Sequence, residues 1–180
     1  MLTAASAFAQ RAETHIFRTA MLPSNEVPAV AIDARGTATI RAHVMRNAQG
    51  EVVSGTVDFI VDHRMPGSAE FTGLHIHRGE AGANGPVVIN TGIGGANGNV
   101  MSETGRGIID RPAQVRPADT AALQALRDLL VNPAGFYVNL HTTVNPGGVI
   151  RGQLKRPEII TLLAPMSPRN EVPAITTLQA

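Results

Sequence analysis

Cysteine and tryptophan are both absent from the 180 residues, and aromatic side chains make up only 3%. Without cysteine there is no disulfide framework and no thiol chemistry, although that absence does not by itself fix the compartment. With five Phe and a single Tyr, a core has to be built from Val, Ile, Leu and Ala, which suits strands. An excess of charge of one sign is also missing. The 15 Lys and Arg are balanced by 14 Asp and Glu for a net charge of +1, so no basic stripe is available to neutralise a phosphate backbone, and nucleic acid is not expected as a partner. No apolar run approaches the ~20 residues of a membrane helix, so no membrane span is expected.

What remains is a chain with 43% hydrophobic and 16% charged residues, punctuated by 18 Gly and 12 Pro. Its length suits one domain. Between the Gly and Pro positions lie Val, Ile and Thr-rich runs with two-residue alternation, the pattern of strands. Residues 36–45 put Ala38, Ile40, Ala42 and Val44 on one face, with Thr37, Thr39, Arg41 and His43 on the other. Residues 51–62 then place Val53, Val57, Phe59 and Val61 inward, predicting an antiparallel hairpin. Further strands are predicted at 70–77, 86–90, 100–109, 135–143 and 149–155, the last two joined by the turn Asn145-Pro-Gly-Gly148. One helix is predicted at 121–130, preceded by Pro117-Ala-Asp-Thr120, with Leu123, Leu126 and Leu130 on one stripe as a packing crossover. Many short strands and one short helix predict an all-β Greek-key sandwich or barrel.

The ends carry separate signals. Residues 1–9 are small and apolar and finish Ala7-Phe8-Ala9 before Gln10, the form of a signal-peptidase site lacking its basic start. They are read as a truncated signal peptide remnant, which places the mature protein in a secreted or periplasmic location. Near the other end, Met166-Ser-Pro-Arg-Asn-Glu-Val-Pro-Ala-Ile175 echoes Met21-Leu-Pro-Ser-Asn-Glu-Val-Pro-Ala-Val30. Residues 157–180 therefore read as the opening strand of a second copy, belonging to a tandem domain or donated as a strand to a homo-oligomer.

The sharpest chemical feature is His75-Ile76-His77. Residues i and i+2 of a strand share a face, so with Leu74 and Ile76 in the core both imidazoles emerge together. The same parity sends Phe136, Val138 and Leu140 inward and Tyr137, Asn139 and His141 outward. If the two strands are neighbours, three imidazoles share one outer face, a donor set that suits copper or zinc. The competing reading is that they are polar residues bonded to carbonyls of Gly-rich loops. His63, in Asp62-His-Arg-Met-Pro66, and Arg151 are possible additional members. Arg151, beside the Asn145–Gly148 turn, reads as a structural clamp ahead of a guide for anions. No G-x-S-x-G surrounds Ser54, Ser68 or Ser102, and Gly92–Asn99 lacks the Lys-Ser/Thr of a phosphate loop.

Three groups of residues together resemble the chordin-type (CHRD) domain over residues 15–156: Leu22-Pro-Ser-Asn-Glu-Val-Pro28; Leu74-His-Ile-His-Arg-Gly79 with Asn84-Gly-Pro-Val-Val88; and Asn132–Thr142 with Asn145–Leu154. The resemblance implies an immunoglobulin-like β-barrel distantly similar to copper/zinc superoxide dismutases. It also implies a non-catalytic module that binds an extracellular or periplasmic protein or matrix component. The dismutase similarity supplies an alternative, a copper-dependent redox or metal-handling protein, since that family also uses a His-x-His strand pair. The dismutase cysteine pair and compact His-rich zinc loop have no counterpart here.

Overall fold

Alternation of small apolar and polar residues drives the first sheet. The computed structural model describes residues 10–158, so residues 1–9, expected to be a signal-peptide remnant, and the Asn170–Ala174 repeat lie outside the described residues. Strand β1 (Arg11–Met21) pairs with β2 (Arg35–Arg46), β2 with β3 (Val52–Arg64), and β3 with β7 (Arg106–Val115), all antiparallel. Ala38, Ile40, Ala42 and Val44 of β2 are each at most 1% exposed. Val57, Phe59 and Val61 of β3 join them as expected.

The second sheet runs β5 (Val87–Asn90), β4 (Ala69–Arg78), β8 (Phe136–Thr142) and β9 (Ile150–Gln153), with the short β6 (Val100–Ser102) also paired to β4. Isolated bridges Arg18↔Lys155 and Leu22↔Arg151 join β1 to the β9 segment and close one side of the sandwich. The pairings β3–β7 and β4–β8 join strands that are not consecutive, the crossed connectivity expected of this class. The helix α1 (Thr120–Val131) crosses from β7 to β8 and buries Leu123, Leu126, Leu129 and Leu130. Asp119 caps it, its carboxylate accepting the Ala122 N–H at 3.0 Å. The result is the expected all-β sandwich with one helix. Among the described residues no helix is long and apolar enough to cross a membrane.

Four local expectations are corrected. Val53 is not the inward residue: Met45 pairs with Ser54 but Arg46 with Val52, so Val53 is the extra residue of a bulge and Val52 enters the core. The predicted strand 100–109 breaks at residues 103–105, and its two halves join different sheets. Strand β1 is invisible to periodicity because its first half is exposed or half-exposed on both faces. Finally, the repeated segment at 21–30 is not a strand beyond Met21, the last residue of β1. It is a loop beginning with the 3-10 turn Pro23–Asn25, and it lies against the second sheet.

That loop helps to roof the second sheet. Every residue of β8 is buried, including the polar ones on the face away from the core. Asn25 donates to the Arg151 carbonyl at 3.0 Å, and Asn84, in the loop between β4 and β5, donates to the Val27 carbonyl at 2.6 Å.

Candidate metal centre

Strands β4 and β8 are direct neighbours, with Gly73 opposite His141, His75 opposite Asn139 and His77 opposite Tyr137. Leu74 and Ile76 are fully buried in the core, so His75 and His77 project to the other side. One potential ligand nitrogen from each of His75, His77 and His141 lies within 4.8 Å of the others. The structure thus brings together the three histidines singled out in the sequence. Gly73 makes the room: a Cβ there would stand 2.7 Å from His75 Cε1 and 3.2 Å from His141 Cδ2.

Hydrogen bonds to backbone carbonyls orient two of the rings. A carbonyl can only accept, so His77 donates from Nδ1 to Gly85 O at 3.0 Å and His141 donates from Nδ1 to Pro146 O at 2.9 Å. This leaves Nε2 of each ring without a proton; that of His77 is buried without a partner, and that of His141 can accept from His75. His75 Nδ1 sits 3.3 Å from His141 Nε2. The two sequence readings of the histidines, carbonyl-bonded and converging on one point, therefore coexist, with the carbonyls acting on the nitrogens turned away from the cluster. Asn139 and Thr142 do not orient the rings. Asn139 instead donates to Glu26, and the Thr142 hydroxyl accepts the Asn145 N–H.

Burial holds all three imidazoles neutral. It pushes His75 from 6.5 down to about 4, helped by the neighbouring His141 and His77. His77 and His141 are also lowered by burial, against the raising effect of their carbonyl partners. Neutral imidazole is the form that ligates a metal. Tetrahedral bonds of ~2.0 to 2.1 Å need nitrogens ~3.3 Å apart, so a closure of up to about 1.5 Å completes the set. The group can hold a transition metal with three nitrogens and an open position, and His75, the least buried of the three, marks the more open side.

Arg151 is the clamp rather than a member of the cluster. It is 1% exposed, and its guanidinium donates to Glu80 O, Ala83 O and Asn84 Oδ1 at 2.9, 2.8 and 3.3 Å. It also lies 3.3 Å from the Tyr137 ring centroid, while the His77 ring stacks on Tyr137 at 4.7 Å. The loop placement of His63 is corrected. It sits in β3 rather than a loop, is 4% exposed, bonds Ser102 Oγ through Nε2 at 3.1 Å and packs edge-on to Phe71.

A family model described as the CHRD domain matches residues 17–154. The chain belongs to this family. Neither curated proteins nor solved structures gave a match. In this CHRD domain the residues that sequence reasoning missed are Gly73, Tyr137 and above all Glu26. Glu26 is 6% exposed, and burial pushes its carboxyl from 4.5 up to about 7 despite Arg151 and Asn139. Glu26 Oε1 and Asn139 Oδ1 are both buried without partners. They lie 2.7 and 2.6 Å from where a Cβ on Gly148 would stand. A proton on the carboxyl supplies a donor where two acceptors converge. A signal for it lies in the sequence, since Glu26 belongs to the pentapeptide Asn-Glu-Val-Pro-Ala that the chain repeats.

Proposed function

We propose that this CHRD domain is an exported, non-catalytic binding module that holds a copper or zinc ion through His75, His77 and His141. Its partner is an extracellular or periplasmic protein or matrix component. Membership of the family supports the binding role, and Ala7-Phe8-Ala9 supports export. The observation that carries the metal reading is the convergence of three neutral imidazoles on adjacent strands, two with their outer nitrogens tied to carbonyls.

Titrating chelator-treated protein with copper and with zinc, in wild type and in His75→Ala, His77→Ala and His141→Ala, tests this reading. Stoichiometric binding in wild type, weakened at least tenfold in each variant, is expected. Equal affinity in all four proteins would make the histidines structural.

The second reading is a copper-dependent redox or metal-handling protein, favoured by the position that three nitrogen ligands leave open. Copper-loaded protein that consumes superoxide catalytically would move the assignment to that class. For export, expression of the gene from its native locus should give a product whose N-terminus, by mass spectrometry, is Gln10. The segment 157–180 is proposed to open a tandem copy rather than to serve this domain. Its removal from residue 160 onward should leave the thermal midpoint unchanged.

A further inference from the structure

The open face of the first sheet carries a charge arrangement that a sheet does not adopt without compensation. Arg35 is directly opposite Arg64 in the β2–β3 register, and Arg64 is directly opposite Arg106 in the β3–β7 register. All three are on the face away from the core: Arg106 shares the parity of Ile108, which is 68% exposed, against 3% for Ile109. Adjacent strands are ~4.8 Å apart, so the three guanidinium stems leave the sheet in a row ~10 Å long. Like charges directly opposite one another destabilise a sheet.

The described residues do not supply the compensation. Among the described residues none of these three side chains makes an ion pair or a hydrogen bond, whereas Arg46 and Arg78 are paired with Glu13 and Asp128 at 2.6 Å. Asp62 stands in the next row along β3, opposite Thr37 and Ile108, and among the described residues no arginine comes within ion-pair distance of it. The arginines and Asp62 border a hollow of about 350 Å³ with Thr37 at its side.

We propose that this row binds a tetrahedral oxyanion, a phosphate or sulfate group. A guanidinium offers two parallel N–H donors to such an ion, and three flanking one hollow converge more donors than one group needs. Bound anion turns the mutual repulsion of the row into shared attraction. A ligand carrying two linked groups spans more of the row than a single ion does and binds tighter. This site is independent of the histidines, which belong to the other sheet.

The test uses chelator-treated full-length protein at constant ionic strength, set with sodium chloride, and titrates sulfate, orthophosphate, pyrophosphate and a short polyphosphate by calorimetry. Saturable binding is expected in wild type, pyrophosphate tighter than orthophosphate, with at least a tenfold loss in Arg64→Gln and in Arg106→Gln. Ligand-free Arg64→Gln should also melt above wild type at low salt, which a damaged fold would not do. A preference for polyphosphate over orthophosphate assigns the group to a polymer, and equal affinity per ion assigns it to the free species. Binding no stronger than that of chloride, or undiminished in both variants, overturns the proposal.

Discussion

The two sheets put opposite kinds of surface on their outer faces. That of the first is wet: His43 bridges Thr14 and Asp58 at 2.8 and 3.0 Å with all three side chains reachable by water, and the arginine row lies open. That of the second is a sealed polar layer, in which Arg151, Glu26, Asn139 and Tyr137 are nearly inaccessible beneath the loops. A polar residue on the first face trades a hydrogen bond for one with water at little net cost. On the second there is no water to trade with, so each unmet donor or acceptor carries a full desolvation penalty. Substitutions of similar chemistry should therefore differ severalfold in effect between the faces.

The largest effect is expected at Arg151. Truncation in Arg151→Ala strands the acceptors at Glu80, Ala83 and Asn84 and removes the stack on Tyr137. A loss of roughly 3 to 5 kcal/mol in urea denaturation is expected. Arg151→Lys should recover little of it, because a point charge cannot serve three acceptors in a plane. A loss below about 1 kcal/mol would break the comparison between the faces.

Next comes the pH dependence set by Glu26, whose carboxyl ionises around 4.5 in the unfolded chain and is pushed up by burial to about 7 when folded. The folded chain holds the extra proton between these values, so this contribution is complete below 4.5, falls as pH rises to about 7 and stays lost above. His75 runs the other way: with its pKa depressed from 6.5 to about 4, its contribution is complete above 6.5 and is lost as pH falls towards 4. Glu26→Gln keeps a donor for Asn139 and removes the titration. Relative to wild type it should gain on the order of 2 to 3 kcal/mol between pH 5 and pH 8. Parallel stability profiles for the two proteins would show that Glu26 is not the buried acid.

Gly73→Ala should cost about 1 to 3 kcal/mol by crowding His75 and His141, and should weaken metal affinity while leaving both ligands in place. Smallest of all, His43→Ala on the wet face should stay within about 0.5 kcal/mol, although it breaks two hydrogen bonds. A larger loss there would mean that the first face is less solvated than its exposure implies.

How much of this was legible follows from what alternation reports. The period of two in Leu74-His-Ile-His77 and in Phe136–His141 states which side of a strand a residue leaves from, and it placed all three histidines correctly. It does not state what lies beyond that side. The roof over β8 is made by residues 23–28, 79–85 and 145–148, which come from distant parts of the chain, so no local pattern records it. The same limit explains Val53, whose parity was right until a bulge shifted the register, and residues 100–109, where one apolar run serves two sheets. The arginine row is a register effect: Arg35, Arg64 and Arg106 are unremarkable until three strands are laid side by side.

Tyr137 has one further consequence. It is the single tyrosine of a chain without tryptophan, so nearly all the near-ultraviolet emission of the protein originates from this one ring. That ring is held between the His77 imidazole and the Arg151 guanidinium. The fold thus contains an optical probe in contact with a candidate ligand. Copper arriving at the histidines would quench it, zinc would leave it bright, and loosening of the loops above would change its intensity, all without a label.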